Sequence, residues 1–384
     1  METLPRISSA FLNLTNACNL ACRYCFVHQS PAHMSLATPK DAADFVAGNT
    51  EDGRASINFF GGEPLLMWDE IIVPLTEYIR GKYGNTFQLS MTSNCTLLDH
   101  RRAAFMRENG IGLLFSMDGD RSTQEANRPM RNGLSSFDAL KSRIPIILEY
   151  FPNVMFRSTL TPDTCGSLFH DMLFAEQAGF RAFFTMPNCF EAWEETDSLR
   201  QQMRMYSDHY IHSMRGGTPF LVFPQLEKYF KKILLRNEAI QKDTFRSSMG
   251  CLACGKCGLG SGKYSGINLN GDIVACQEFF SHDDNYFVIG NIYTGVRGDL
   301  RESLIEADDS SPAVGRSCPS CALSRMCDGG CVANNYILNG DIHKVPDIYC
   351  TWSQILFDEA VYIMRVLGGE ENEVFKERWL HRVG

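Results

Sequence analysis

Short apolar runs recur along the first half of the chain, with longer amphipathic stretches between them. Phe11–Thr15, Ser56–Phe60, Thr86–Thr92, Ile111–Met117, Val154–Leu160 and Ala182–Met186 are brief and rich in apolar residues, which predicts strands. The segments between them predict helices. Thr38-Pro39-Lys40-Asp41 offers an N-cap with proline in the first turn, leading into Ala42, Ala43, Phe45 and Val46. A second helix is predicted from about Asp99 to Asn109 before Gly110, and a third from Leu168 to Ala178 before Gly179. Six β–α units in series predict an α/β fold, a partial (β/α)6 barrel with crossovers of one hand.

Beyond the last strand the pattern changes. From Glu191 to about Met249 it turns helical and aromatic, with Trp193, Tyr206, Tyr210, Phe220, Phe223, Tyr229 and Phe230. Such density marks packing first and a peptide groove second. Gly216-Gly217-Thr218-Pro219 interrupts it. The expected divisions are 1–215 for the barrel, 216–250 for a helical bridge and 251–384 for a cysteine-rich C-terminal domain. Within the last, Ile267–Cys276 reads as a hairpin turning at Asn270-Gly271, and the tail from Gly368 to Gly384 as a surface helix.

Composition narrows the class. The 384 residues are 44% hydrophobic and 21% charged, as in ordinary soluble globular proteins. No run approaches a membrane span, and Met-Glu-Thr-Leu-Pro-Arg lacks a signal pattern, so a cytoplasmic protein without a membrane partner is expected. A net charge of −9 argues against a nucleic-acid partner. The chain has 15 cysteines and no secretion signal, which points to metal ligation rather than disulfides.

Cys18, Cys22 and Cys25 follow the first strand at CxxxCxxC spacing. Three thiolates on one loop can grip three irons of a cubane but cannot complete a four-cysteine site. The position left open is where a metal does chemistry. A zinc knuckle or three unrelated thiols is the bland alternative. In folds of this kind ligands sit at the carboxyl ends of the strands. There the sequence places Gly61-Gly62-Glu63-Pro64, then Thr92-Ser93-Asn94-Cys95-Thr96, then Ser116-Met117-Asp118-Gly119.

The cysteine loop, with Tyr24 before its last cysteine, followed in order by GGEP, TSNCT and SMDG, resembles the radical SAM enzymes that carry a C-terminal SPASM extension. The resemblance implies a [4Fe-4S] cluster on Cys18, Cys22 and Cys25 whose fourth iron binds S-adenosylmethionine. It implies that Gly61, Gly62 and Glu63 flank the methionine amino group. Ser93, Ser116 and Asp118 complete the cofactor-binding set, and Arg128 matches an arginine that meets the carboxylate. A guanidinium suits that task, being always charged and bidentate; the alternative for Arg128 is a solvated loop. Cys95 stands where the motif has glycine and is not expected to be a ligand.

Further on, Cys251-x2-Cys254-x2-Cys257 is followed by Cys276, and Cys318-x2-Cys321-x5-Cys327-x3-Cys331 by Cys350. This second arrangement resembles the SPASM domain. The resemblance implies one auxiliary [4Fe-4S] cluster on Cys251, Cys257, Cys276 and Cys331. It implies another on Cys318, Cys321, Cys327 and Cys350, making three clusters in all. Cys95, Cys165, Cys189 and Cys254 remain unassigned, with Cys254 able to substitute for a neighbour. Zinc is the competing metal.

A radical SAM enzyme with these parts cleaves S-adenosylmethionine to a 5′-deoxyadenosyl radical, which takes a hydrogen from the substrate. Auxiliary clusters then offer the leftover electron a route out, and a donor such as flavodoxin or ferredoxin supplies the first one. The expected substrate is a peptide or protein. The first reading is a thioether or C–C crosslink in a ribosomally made precursor. The alternative is anaerobic sulfatase maturation, which oxidises cysteine or serine to formylglycine. The sulfatase-maturating enzymes have a catalytic aspartate directly after the residue matching Cys276. Here Gln277 stands there, with Glu278 next, and a glutamine accepts no proton at useful pH. Because the cysteine loop begins by residue 18, a separate leader-recognition protein or a groove in 191–250 is expected. An electron-transfer protein without catalysis would leave GGEP, SMDG and Arg128 without purpose.

Overall fold

The computed structural model describes residues 6–50, 53–235, 262–281, 287–302, 321, 323, 327 and 330–380. In chain order the elements are β1 (Ser9–Thr15), α1 (Ala37–Gly48), β2 (Ala55–Gly61), α2 (Val73–Tyr83), β3 (Phe87–Ser93), α3 (His100–Glu108), β4 (Ile111–Ser116), α4 (Arg121–Asn127), α5 (Ser136–Lys141), α6 (Ile144–Tyr150) and β5 (Phe156–Leu160). They continue with α7 (Leu168–Gln177), β6 (Phe183–Pro187), α8 (Asp197–Gly216), α9 (Pro224–Leu235), β7 (Tyr264–Ile267), β8 (Asp272–Val274), β9 (Val288–Asn291), β10 (Gly295–Val296), α10 (Val332–Asn339) and α11 (Asp347–Gly369). All six expected strands are present, shifted by a residue or two at their ends.

The chain folds as two compact units. One comprises Met1–Ser116, Arg128–Val154 and Lys256–Ser310, the other Met117–Asn127, Met155–Gly255 and Ser311–Gly384. This division departs from the expected boundaries at 215 and 251 for a backbone reason. β7 pairs in parallel with β1, from Ser9 opposite Tyr264 to Leu12 opposite Ile267, so the expected hairpin extends the first unit's sheet.

In the first unit the strand order is β10-β9-β8-β7-β1-β2-β3-β4. The β1–β2, β2–β3 and β3–β4 pairs are parallel, and one row runs Leu12, Phe59, Met91, Leu113. Alternation along each strand then separates two faces. Leu12, Leu14, Ile57, Phe59, Leu89 and Met91 are buried on one, with α1 packed on β1 and β2. Burial of such side chains stabilises the sheet by about 1.5–3 kcal/mol each. The other face carries a polar ladder: Ser9 Oγ lies 2.6 Å from Ser56 Oγ, Asn58 Nδ2 donates to Ser90 Oγ at 2.8 Å, and Thr92 donates to Asn58 Oδ1 at 3.1 Å. Helices cover the first face; the second is chemically suited to a polar ligand.

Helix starts divide the expectations. Asp99 caps α3, its carboxylate accepting the Arg102 N–H at 2.8 Å. Thr38 is no N-cap: α1 begins a residue earlier, and Thr38 is buried in its first turn, donating its N–H to the Ser35 carbonyl.

In the second unit β5 pairs with β6 in parallel, Phe156 opposite Phe183. α8 and α9 both pack on α11 around Tyr206, Tyr210, Phe223, Phe230 and Trp352, all buried. The aromatic segment is therefore packing. α8 stops at Gly217, whose φ is +60°, and α9 returns to this core rather than forming a separate bridge. The tail corrects the surface-helix expectation. Phe375 and Trp379 are buried, with ring centroids 5.9 and 5.2 Å from Phe230, because their apolar faces complete the same aromatic cluster. Among the described residues no helix is long and apolar enough to cross a membrane.

Candidate active site at the loop end of the first sheet

The cysteine loop leaves β1 at Thr15 and is clipped at both shoulders. Asn16 N–H and Thr15 Oγ1 both donate to the Ala32 carbonyl, at 2.9 and 3.1 Å. Leu20 is fully buried and bridges to Met130, while Ala21 N–H donates to the Pro129 carbonyl at 2.8 Å. These anchors leave Cys18 and Cys22 half-buried and Cys25 exposed. Cys18 is the most sheltered. Its sulfur accepts the Leu20 N–H at 3.4 Å and the Asn94 side-chain amide at 3.8 Å. Burial, and then the nearby Glu63, push its thiol up to about 12, so the thiolate needs a cation to form.

Among the described residues, ligand atoms of Asp120, His170 and Asp171 lie within 4.8 Å of one another, a group that belongs to the second unit.

The next loop passes so close that only glycine fits. A Cβ at Gly61 would lie 2.3 Å from the Thr15 carbonyl oxygen, and one at Gly62 would lie 2.2 Å from that of Ala17. The contact is used: Gly62 N–H donates to Thr15 O at 2.7 Å and Glu63 N–H to Ala17 O at 2.9 Å. Glu63 itself is fully buried. Its carboxylate accepts the Leu65 N–H at 3.0 Å, Ser93 Oγ at 2.7 Å and the Asn94 N–H at 2.8 Å. Burial raises its pKa, opposed by these three donors. The side chains of Glu63 and Ser93 are therefore spent on joining the loops after β2 and β3. Whatever Gly61–Glu63 offer a cofactor comes from the backbone.

At the end of β3, Cys95 has a φ of +56°, the left-handed region that glycine adopts most easily. That is the physical sense of the glycine expected there. Its thiol is buried against the Ser93 carbonyl, 3.8 Å away. Ser116 closes β4 and is buried. Arg128 is also buried, its guanidinium 5.2 Å from the Tyr24 ring centroid, so it is bound to the cysteine loop and not solvated. Asp118 belongs to the second unit, where it accepts the Thr159 N–H at 3.0 Å.

Gln277 and Glu278 follow Cys276 in a short helical turn of the first unit. The Gln277 carbonyl oxygen accepts the Tyr264 hydroxyl and the Cys276 thiol, the latter at 3.2 Å, and its amide donates to Glu278 at 3.3 Å. This segment reaches the cysteine loop through Ser281, whose Oγ accepts the His28 N–H at 2.8 Å. Phe280, Phe60 and Phe26 continue the link, with centroids 6.0 and 6.1 Å apart in turn.

Sequence reasoning missed Asn13, whose amide donates to Asn268 Oδ1 at 2.8 Å and Asn16 Oδ1 at 3.0 Å, and Asn94 as a neighbour of Cys18. The signal for Asn13 was a polar residue inside an apolar strand. Cys321 and Cys350 are exposed and Cys327 and Cys331 half-buried, all four in the second unit. Cys251, Cys254, Cys257 and Cys318 lie outside the described residues. Of the cysteines left unassigned, Cys95, Cys165 and Cys189 are buried.

The chain is similar to known proteins along much of its length. Residues 12–167 match the family model described as the Radical SAM superfamily. A cysteine-type anaerobic sulfatase-maturating enzyme of Clostridium perfringens is 24% identical over 344 residues, covering 85% of this chain and 89% of the relative. The radical SAM cyclopropyl synthase TigE of Paramaledivibacter caminithermalis is 23% identical over 395 residues, covering 97% of this chain and 76% of the relative. Among solved structures, native anSMEcpe with bound AdoMet and the Cp18Cys peptide superposes with a TM-score of 0.75 at 20% identity, covering 94% of this chain and 99% of that one, and so shares the fold.

Proposed function

We propose that this chain, which carries a radical SAM domain over residues 12–167, is a radical SAM enzyme that modifies a peptide or protein. The observation that carries the reading is the Cys18, Cys22 and Cys25 loop, packed against Gly61 and Gly62 too closely for a Cβ, within the stretch that matches the Radical SAM superfamily model. Cys18, Cys22 and Cys25 would hold the cluster, with Arg128 and the Gly61–Glu63 backbone beside it for the amino-acid end of S-adenosylmethionine. When bound, that pair supplies a hydrogen-abstracting radical. The chain's own share is to bind, to orient and to exclude water. Two auxiliary clusters on the C-terminal cysteines, an electron donor such as flavodoxin or ferredoxin, a leader-recognition protein and a cytoplasmic setting complete the proposal.

The bond formed is a thioether or C–C crosslink in a ribosomally made precursor. Gln277 favours this over formylglycine formation, since it binds Tyr264 and Glu278 through both ends of a neutral amide and can take no proton from a substrate thiol. The sulfatase-maturating reading rests on the C. perfringens relative and the fold it shares. Anaerobic incubation of reduced, reconstituted protein with S-adenosylmethionine and the peptide encoded beside its gene separates them. Production of 5′-deoxyadenosine with loss of two hydrogens at intact sulfur supports crosslinking. Replacement of sulfur by a carbonyl oxygen supports formylglycine, and no 5′-deoxyadenosine would sink both.

A further inference from the structure

Asn94 is fixed at both ends. Its side-chain oxygen accepts the Thr96 N–H at 3.0 Å and the Thr96 hydroxyl at 2.7 Å, so the amide cannot turn round without losing both. Its nitrogen must then face the cysteine loop, where it donates to Asn19 Oδ1 at 2.9 Å and to Cys18 Sγ at 3.8 Å. The backbone is pinned as firmly, its N–H held by the buried Glu63 carboxylate at 2.8 Å. Asn19 closes the circuit by donating to Thr96 Oγ1 at 2.7 Å. Cys25, by contrast, is exposed; its sulfur accepts the Gln29 amide at 3.9 Å and donates to the Val27 carbonyl at 3.7 Å.

We infer that Asn94 is a positioning residue whose amide N–H, held toward Cys18 Sγ by Thr96 and Glu63, raises the reduction potential of the cluster on Cys18, Cys22 and Cys25. The physical reason is charge. Reduction adds an electron to a cluster and its thiolates, and a donor aimed at sulfur stabilises the more negative state. Asn94 thereby makes the electron transfer that starts the reaction easier. This rests on the radical SAM reading of the same loop.

The test is an anaerobic redox titration of the reconstituted full chain, followed by electron paramagnetic resonance with and without S-adenosylmethionine. Asn94→Asp keeps the shape and the acceptor for Thr96 but loses the N–H. Reduction is expected to become at least about tenfold less favourable, a fall of about 59 mV for one electron. Asn94→Ala, uncharged, is expected to fall in the same direction by less. Thr96→Val removes one of the two donors that hold the Asn94 oxygen but keeps the Asn94 N–H itself, so its potential is expected to fall by less than in either Asn94 variant. A wild-type potential in both Asn94 variants would overturn the inference. So would an equal fall in Thr96→Val, or failure of both Asn94 variants to assemble a cluster that Thr96→Val assembles. If the wild-type protein gives no iron–sulfur signal that responds to S-adenosylmethionine, the radical SAM reading fails instead.

Discussion

The loop end of the first unit and the helical core of the second hold together by opposite means. Around Cys18 the contacts are polar and atom-specific: carbonyl oxygens of Thr15 and Ala17 leave no room for a Cβ, and one buried carboxylate ties two loops. Around Phe223 the contacts are broad and apolar. Its ring meets Phe183, Tyr206 and Trp352 at centroid distances of 6.4, 5.8 and 6.1 Å. The first arrangement spends its hydrogen bonds on geometry and gains little net stability from each. The second gains stability from area and specifies no reactive atom. Chemistry and stability should therefore separate under mutation.

The sharpest break is Cys22→Ala. The side chain is half-buried and its loss leaves the anchors at Leu20 and Thr15 in place. The chain should keep its thermal midpoint within a few degrees and lose 5′-deoxyadenosine formation altogether, read by chromatography of the reduced, reconstituted protein. Retained cleavage would remove the cysteine loop from the reaction. The mirror experiment is Phe223→Ala. Removing a fully buried ring costs about 3–5 kcal/mol. Denaturant unfolding should show that loss, while cleavage per folded molecule stays near wild type. A variant that loses both in proportion would mean that the two regions are not separable.

How much of this contrast the sequence revealed follows from its physical origin. Strand alternation and aromatic density are local signals, so the six strands and the packing role of Tyr206, Tyr210 and Phe223 were readable. The pairing of β7 with β1 was not, because register between segments some 250 residues apart leaves no periodic trace. Glu63 was found as a motif residue, yet its direction was invisible: the same Gly-Gly-Glu could have aimed a carboxylate at a ligand. Three donors, two of them from the next loop, turn it inward. Thr38 misled for a similar reason, since Ser35 three residues earlier offers a competing turn.

A smaller effect is expected from Glu63→Gln, which probes the polar region without touching a sulfur. Glutamine presents an NH2 to one of the donors now satisfied by the carboxylate, and an unpaired buried donor costs about 1–3 kcal/mol. Stability should fall by that amount. Iron content after reconstitution should fall with it, because Asn94 is the residue released. Unchanged iron content at reduced stability would make Glu63 a core residue like those of the second unit and blur the contrast.

The second unit has its own buried carboxylate, and it sharpens the comparison most gently. Asp171 on α7 accepts the Asp120 N–H and the Thr123 hydroxyl, both at 2.8 Å, and Gly119 packs so tightly on it that a Cβ would lie 2.0 Å from its oxygen. Burial, opposed by those two donors and reinforced by Asp120 and Asp118, pushes its pKa up to about 8. A carboxyl whose folded pKa is raised binds its proton more tightly folded than unfolded. Its contribution to stability is complete below the unfolded value near 4 and is lost as pH rises through about 8. Asp171→Asn keeps an oxygen for the Asp120 N–H and an NH2 that can donate to Thr123. It should flatten the pH dependence of unfolding over that window, a tilt below about 1.4 kcal/mol per pH unit. Urea unfolding at pH 5, 6.5 and 8 measures it. An unchanged slope would mean that Asp171 is ionised when folded, its two donors outweighing the burial that raises its pKa.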